Sequence, residues 1–145
     1  MIVIGVDPDS KKHGIAIYKD GKLIELNEWG IVELIESAHI LRGEVLFSIE
    51  DVASQSFVYA RNVNSKAVQS NIAMKVGRCQ QAQIEFQRML DHLGFKYVLH
   101  KPQKGNWAKK KAIFERTTGW TKRSNEDTRS AAYFGFIEAI KKRGA

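Results

Sequence analysis

The sequence has a single cysteine, Cys79, and therefore cannot close an internal disulfide bond. It has no apolar run long enough to span a membrane, and no charged segment followed by an apolar one at its start. Its four histidines lack zinc-ligand spacing, which argues against a zinc site. These absences predict a soluble protein of a reducing compartment, the cytoplasm, with no membrane partner.

Acidic residues are in the minority, because 16 aspartates and glutamates stand against 23 lysines and arginines. The resulting net charge of +7 favours a polyanionic partner, since contacts with phosphates release condensed counterions. Hydrophobic residues make up 43% of the 145 positions, which is enough for a substantial core. We therefore expect a single domain that spans residues 1–145.

The first twenty residues contain the pattern on which the functional interpretation depends. Residues 2–6 are apolar and lead to Asp7, and a second apolar run follows Gly14 after a polar turn. This pattern predicts two buried strands, with Asp7 at the end of the first. A carboxylate there is costly to bury unless a hard divalent cation neutralises it. Alternatively, Asp7 only caps the turn that contains Pro8.

Hydrophobic periodicity predicts the remaining elements. Asp20 and Gly21 favour a two-residue hairpin turn, so a third strand should pair antiparallel with the second. Further along the chain, short apolar runs alternate with apolar residues at helical spacing. The predicted elements are strands at 23–26, 45–49 and 95–99, and helices at 31–41, at 65–93, from 107 onward and from 124 onward.

Two acids, Glu50 and Asp51, follow the fourth predicted strand. A right-handed crossover would bring this strand beside the first one. Asp7 and Glu50 would then lie together at the carboxyl ends of neighbouring strands and form a two-carboxylate site. The alternative is that Glu50 and Asp51 begin a solvated loop.

The segment 53–66 is polar but contains aromatic residues and a cation, namely Phe57, Tyr59 and Arg61. Aromatic faces can stack on bases that lie outside a duplex, so this segment is a candidate reader of nucleic acid. The two aromatic residues could equally fill the core. The helix at 65–93 should bury one apolar stripe, formed by Val68, Ile72, Val76, Cys79, Ala82, Phe86, Met89 and Leu93. Its polar face would carry Gln80, Gln81, Gln83 and Gln87.

A basic stretch covers residues 100–111, where Trp107 lies among lysines. Charged runs are usually solvated faces, but this one follows a strand, opens a helix and includes an indole. It therefore favours contact with a phosphate backbone. The helix that begins at Trp107 should carry Ala112, Ile113 and Phe114 toward the core.

The last helix begins with Ser124, Asn125, Glu126 and Asp127, and Ser124 with Asp127 fits a capping box. Acids in a first turn also interact well with the helix dipole, so a purely structural role is open. However, Asp127 shares one helical face with Ser130, Ala131, Phe134 and Ile137, and this face must pack on the sheet. Asp127 is therefore a candidate third site carboxylate.

The order and spacing of these segments resemble RuvC-type Holliday-junction resolvases of the ribonuclease-H-like nuclease superfamily. The resemblance implies an α/β fold with a five-stranded mixed sheet, a three-strand antiparallel meander plus parallel strands, flanked by helices. The last helix of the family carries Asp-x-x-Asp-Ala. Here Asp127 matches the first acid and Ser130 replaces the second. Glu126 or Asp51 could supply the missing carboxylate, or Ser130 could hold a water at the metal.

Three carboxylates repel each other unless cations occupy the site. With Asp7, Glu50 and Asp127 as ligands, two Mg²⁺ ions, or Mn²⁺ in their place, would support phosphodiester hydrolysis that leaves a 5′-phosphate. The resemblance implies a homodimeric endonuclease of DNA recombination and repair, acting on branched DNA rather than a small molecule. In the family, lysines approach the scissile strand, and the candidates here are Lys101 or Lys104 and Lys109 or Lys110. The alternatives are a YqgF-like RNA-processing nuclease and a catalytically inactive junction-binding protein.

Overall fold

The computed structural model of the protein describes residues 1–41, 44–54 and 66–143. Within them the strands and helices follow the predicted order, with small shifts of their ends. The elements are β1 (Ile2–Asp7), β2 (His13–Lys19), β3 (Lys22–Trp29), α1 (Ile31–Ile40), β4 (Val45–Glu50), α2 (Lys66–Leu93), β5 (Lys96–His100), α3 (Lys111–Thr118) and α4 (Glu126–Arg143).

The five strands form one mixed sheet in the order β3-β2-β1-β4-β5. The first three strands are an antiparallel meander, whereas β4 pairs parallel with β1 and β5 pairs parallel with β4. The β2–β3 turn has positive φ at Asp20 (51°) and Gly21 (81°), as a two-residue hairpin turn of this hand requires. The predicted meander and crossover are confirmed.

Side-chain alternation along the strands gives the sheet two different faces. Ile4, Phe47 and the other large residues of one face form a core with Phe86 and Leu90 of α2. The other face, which carries Val3, packs against α4. Because side chains alternate with a period of two, Asp7 lies on the same face as Val3 and therefore points toward α4.

Helix α4 lies directly against the sheet because both partners use glycine at the contact. A Cβ atom on Gly5 would lie 2.0 Å from the carbonyl oxygen of Ala131, and one on Gly135 would lie 2.8 Å from the ring of Tyr18. Two buried hydroxyls also donate to the backbone of α4: Tyr18 Oη to Ala132 O (2.7 Å) and Ser48 Oγ to Phe134 O (2.6 Å). These contacts fix the position of α4 on the sheet.

The predicted apolar stripe of α2 is only partly buried. The buried residues of α2 are Gln83, Phe86 and Leu90, whereas Val68 remains 48% exposed. A helix of this length spans about 42 Å and a six-residue strand about 20 Å, so α2 is about twice as long as the strands. The prediction that Gln83 belongs to a polar outer face was wrong. No helix of residues 1–41, 44–54 and 66–143 is long and apolar enough to cross a membrane.

The basic stretch also differs from the prediction in two respects. Helix α3 begins at Lys111 rather than at Trp107, and Ile113 is 44% exposed rather than directed to the core. The indole of Trp107 is buried, with ring centroids of Phe114 and Phe136 at 5.8 and 5.2 Å. An aromatic surface of this size gains more from the core than from solvent. Trp107 is therefore a core residue that anchors the basic segment.

Candidate functional site

Asp7 and Glu50 end two adjacent parallel strands on the face that packs against α4. Val6 pairs with Ile49 in the β1–β4 register, so Asp7 and Glu50 follow at the same level. Burial and then the charge of Glu50 raise the pKa of Asp7 from 3.8 to about 8, with smaller contributions from other acids. Burial also raises the pKa of Glu50. Two carboxyl groups thus share a poorly solvated position at this edge of the sheet.

Helix α4 brings Asp127 to the same edge through a second glycine contact. Gly14 is the register partner of Asp7 on β2. A Cβ atom on Gly14 would lie 2.4 Å from the carbonyl oxygen of Asp127 and 3.2 Å from its Cβ atom. Asp127 is exposed rather than buried against the sheet. Desolvation by the surrounding protein, followed by the charges of Asp9, Glu28 and Glu126, nevertheless raises the pKa of its carboxyl group. The first turn of α4 therefore lies beside the strand pair that ends at Asp7.

The predicted capping box of Ser124 and Asp127 was wrong. Asn125 is the capping residue, because its Oδ1 accepts from the Thr128 amide at 2.8 Å and the Thr128 hydroxyl accepts from the Asn125 amide at 2.9 Å. This reciprocal pair is shifted by one residue from the predicted one. The carboxylate of Asp127 is consequently not used as a cap.

Ser130 lies beside Asp7 and is 3% exposed. Its hydroxyl interacts with the Asp7 carboxylate, and this interaction partly offsets the rise in the pKa of Asp7. The same hydroxyl accepts from Asn106 Nδ2 at 2.8 Å, and Asn106 Oδ1 in turn accepts from the Ala108 amide at 2.8 Å. Ser130 therefore connects the site carboxylate to the basic segment.

Asp9 is an acid of this site that the sequence analysis missed. Its charge contributes to the raised pKa of both Asp7 and Asp127. The Asp9 amide donates to Nδ1 of His13 at 3.1 Å, and burial lowers the pKa of His13, which keeps that nitrogen available as an acceptor. One hint was present in the sequence, namely that Asp9 follows Asp7 by two residues. The distance between Asp9 and Asp127 depends on the shape of the turn, which the sequence pattern did not predict.

The two acids that we considered as further ligands differ in their surroundings. The Asp51 carboxylate accepts from Gln83 Nε2 at 2.9 Å and from the Ser54 amide at 3.1 Å. Burial acts to raise the pKa of Asp51, but these hydrogen bonds outweigh it and lower the pKa overall. Glu126 is exposed and acts on Asp127 through its charge. Neither acid contributes to the raised pKa of Asp7.

Lysines occur in the basic stretch that Asn106 links to Ser130, and also in α2. All four lysines that were predicted to contact nucleic acid, Lys101, Lys104, Lys109 and Lys110, are exposed. Lys110 Nζ donates to the carbonyl oxygen of Lys104 at 3.1 Å. A further lysine, Lys75 of α2, was not predicted, and its charge acts to lower the pKa of Asp127. The other predicted nucleic-acid residues, Phe57, Tyr59 and Arg61, lie outside the described residues.

The acids around Asp7 have the chemistry of a hard-cation site, although their side chains are not gathered around one point. Among the described residues, no group of three or more His, Cys, Asp or Glu side chains is placed so that it could hold one ion. Burial makes the largest contribution to the raised pKa of Asp7, and the charges of Glu50, Asp127 and Asp9 raise it further. Oxygen ligands suit Mg²⁺ or Mn²⁺. The carboxylate oxygens and their negative charge thus fit a divalent cation. The acidic side chains would have to move closer together to bind it.

Comparisons with known proteins give information on the fold. No protein-family model matches the sequence, and no curated protein matches it either. Among solved structures, RuvC of T. thermophilus in complex with a Holliday junction substrate matches with a TM-score of 0.62 and 16% identity, over 100% of this chain and 97% of that chain. A second Thermus thermophilus RuvC structure matches with the same TM-score and identity, over 99% and 96% of the two chains. The chain has the RuvC-type, ribonuclease-H-like fold that its sequence predicted.

Proposed function

We propose that the protein is a divalent-metal-dependent DNA endonuclease that resolves four-way junctions. The observation that carries this proposal is the meeting of Asp7 and Glu50 at the ends of β1 and β4, with Asp127 beside them on α4. The similar fold of a RuvC protein that was solved with a Holliday junction supports the choice of substrate. Cutting such junctions is a step of DNA recombination and repair.

Asp7, Glu50 and Asp127 would hold two Mg²⁺ ions, for which Mn²⁺ could substitute. The chemistry that bound ions supply is activation of a water and stabilisation of the departing 3′-oxygen, which yields a 5′-phosphate. The hydroxyl of Ser130 would help to orient the Asp7 carboxylate, with which it interacts. Asn106 holds Ser130 in turn and thereby links this carboxylate to the segment that carries the lysines.

The exposed lysines at 101, 104, 109 and 110 would bind the phosphate backbone near the acids. Such contacts carry no sequence information and hold the substrate in register. The net charge of +7 would assist the approach of DNA. A homodimer would present two equivalent sites to the paired strands of a junction.

The proposal is tested with a labelled four-way junction, a linear duplex and an RNA hairpin, each incubated with Mg²⁺ or with EDTA. We expect symmetric nicking of the junction in Mg²⁺ alone. Asp7→Asn should abolish the nicking and retain junction binding. Asp91→Asn, which removes an exposed acid near the far end of α2, is the matched control and should cut normally. Cleavage that persists in EDTA or in Asp7→Asn would contradict the proposal.

A second candidate function is junction binding without cleavage. It is favoured by Ser130, whose hydroxyl occupies the immediate neighbourhood of Asp7, and by the spread of the acids. This candidate predicts tight binding of the junction in EDTA and no nicking in either Mg²⁺ or Mn²⁺. Cleavage of the RNA hairpin in preference to the junction would instead favour an RNA-processing nuclease.

A further inference from the structure

Gln83 is a polar residue of α2 that is completely buried and fully hydrogen-bonded. Its exposed fraction is 0%. Its Oε1 accepts from the amides of Val52 (2.7 Å) and Ala53 (2.9 Å). Its Nε2 donates to Asp51 Oδ1 and to Gln87 Oε1, both at 2.9 Å. The side-chain amide therefore uses both of its acceptor sites and both of its donor hydrogens.

These hydrogen bonds act on the residues that directly follow Glu50. The Asp51 amide ties the start of this segment to the sheet, because it donates to the His100 carbonyl oxygen at 2.7 Å. Beyond that point the partners come from α2, where Gln80 Nε2 also donates to the Val52 carbonyl oxygen at 3.1 Å. Two glutamines of α2 thus fix the backbone of residues 51–53.

The direction of the chain after a strand determines where the last side chain of the strand points. Glu50 is the last residue of β4. The sheet therefore holds the backbone before Glu50, and α2 holds the backbone after it. Without Gln83, the amides of Val52 and Ala53 would lose the acceptor that they reach at 2.7 and 2.9 Å, and the Asp51 carboxylate would lose one of its donors. They would then turn toward water, because a buried amide without a partner is costly.

We propose that Gln83 is a positioning residue, which holds the strand exit at 51–53 so that Glu50 is directed toward Asp7 for cation binding. The inference rests on the proposed function, since it concerns the same site. Gln83 does not touch the site itself. Its effect is transmitted through three consecutive backbone positions, in the way that outer hydrogen bonds orient the ligands of other metal sites.

Gln83→Met tests the inference, because methionine has a similar length and volume but cannot form these hydrogen bonds. Gln81→Met is the matched control. Gln81 is an exposed glutamine of the same helix, and its Nε2 donates to Glu85 at 2.9 Å. If Gln83→Met fails to fold, Gln80→Met provides a milder change, since it removes one donor to the same segment.

Two measurements are made on the metal-free, full-length protein. The first is hydrogen exchange of the Val52 and Ala53 amides, which we expect to become about tenfold faster in Gln83→Met and to stay unchanged in Gln81→Met. The second is calorimetric titration with Mn²⁺, in which the dissociation constant should rise about 10- to 100-fold in Gln83→Met alone. Junction binding in EDTA should be the same in all variants, because the lysines are not affected.

The possible results separate the inference from the proposed function. Faster exchange together with weaker Mn²⁺ binding supports the positioning role. Faster exchange with unchanged Mn²⁺ binding overturns that role and leaves Gln83 as a purely structural residue, while the metal site stands. If the wild-type protein binds no Mn²⁺, the proposed metal site fails and the positioning role fails with it.

Discussion

The two faces of the sheet are packed in different ways, and the site lies on only one of them. The face toward α1 and α2 is filled by large side chains such as Ile4, Phe47 and Phe86. The face toward α4 is built on close backbone contact at Gly5 and Gly14. A core of large side chains can adjust to a small change in volume, whereas a backbone contact at glycine cannot.

This difference explains how the α4 face can carry polar groups. Because α4 lies so close to the sheet, the hydroxyls of Tyr18 and Ser48 reach its carbonyl oxygens and are satisfied while buried. The same close approach brings Asp127 and Ser130 to the strand end that carries Asp7. The geometry of the site therefore depends on the short distance between the backbone of α4 and the backbone of the sheet.

The largest effect is expected from Gly5→Ala, which places a methyl group 2.0 Å from the carbonyl oxygen of Ala131. Because the obstructing atom belongs to the backbone, α4 must shift, and unfolding should require about 3 kcal/mol less free energy. Cleavage should be lost with the shift.

The control is Gly77→Ala in α2, where nothing lies within 4 Å of the added Cβ atom. This variant should stabilise the helix by about 0.5–1 kcal/mol. Urea unfolding measures both changes. Near-normal stability of Gly5→Ala would disprove the tight contact.

The next largest effect concerns the pH dependence of stability without metal. Burial and Glu50 raise the pKa of Asp7 to about 8, so between about pH 4 and 8 the folded state binds more protons than the unfolded state. The free energy of unfolding should therefore fall as the pH rises through this range, by on the order of 2 kcal/mol. Asp7→Asn should remove most of this fall. Thermal unfolding in EDTA between pH 5 and 8 measures the difference.

Asp51→Asn is the control for that experiment, because the pKa of Asp51 is lowered rather than raised. Its contribution to stability is present above the ordinary pKa of an aspartate and is lost only as the pH falls below it. This variant should therefore leave the decline between pH 5 and 8 in place. Added Mg²⁺ should restore the stability of the wild-type protein chiefly near pH 8, since the cation binds ionised carboxylates. Equal pH profiles for wild type and Asp7→Asn would contradict the buried carboxyl pair.

A smaller effect is expected on the face that is filled by large side chains. Ile17 lies in that core with an exposed fraction of 3%. Ile17→Val removes one methyl group, and the core should relax around it at a loss of about 1 kcal/mol in the free energy of unfolding. Because α4 does not move, junction cleavage by the folded protein should be unchanged. A loss of cleavage comparable to that of Gly5→Ala would mean that the two faces are mechanically coupled.

The sheet could be predicted from the sequence because its signals are local. Apolar runs, the Asp20-Gly21 turn and the crossover helix give the strand order, and the resemblance to RuvC-type proteins gave the same fold. The level of Asp7 beside Glu50 then follows from the parallel register. Which of these acids binds a cation stays a prediction.

What could not be predicted depends on contacts between distant segments. The charge of Asp9 acts on Asp127, although the two residues are far apart in the sequence. Gln83 belongs by periodicity to a polar face, and its burial follows from the path of residues 51–53 beneath α2. The indole of Trp107 was counted as a reason for phosphate contact by the basic stretch, but it is buried in the core. No periodicity along one segment encodes such contacts.

The smallest effect is expected at the start of α4, where the sequence favoured the wrong cap. Two pairs of residues have the spacing of a capping box, namely Ser124 with Asp127 and Asn125 with Thr128. The structure uses the second pair. Asn125→Ala should lower the free energy of unfolding by about 0.5–1 kcal/mol, because Thr128 loses its acceptor. Ser124→Ala should have less effect, since Ser124 accepts from the Arg129 side chain and does not cap the helix.

A third variant, Asp127→Asn, tests whether Asp127 is free to act in the site. A capping aspartate would be held by backbone amides, whereas Asp127 carries a raised pKa from desolvation and from its neighbours Asp9, Glu28 and Glu126. If Asp127→Asn destabilised the metal-free protein as a lost cap does, Asp127 would be a structural residue. We expect instead that Asp127→Asn leaves the metal-free protein as stable as the wild type or slightly more stable, because it relieves repulsion among the acids. Asp127 would then be a carboxylate that does not stabilise α4 and is available to bind a cation.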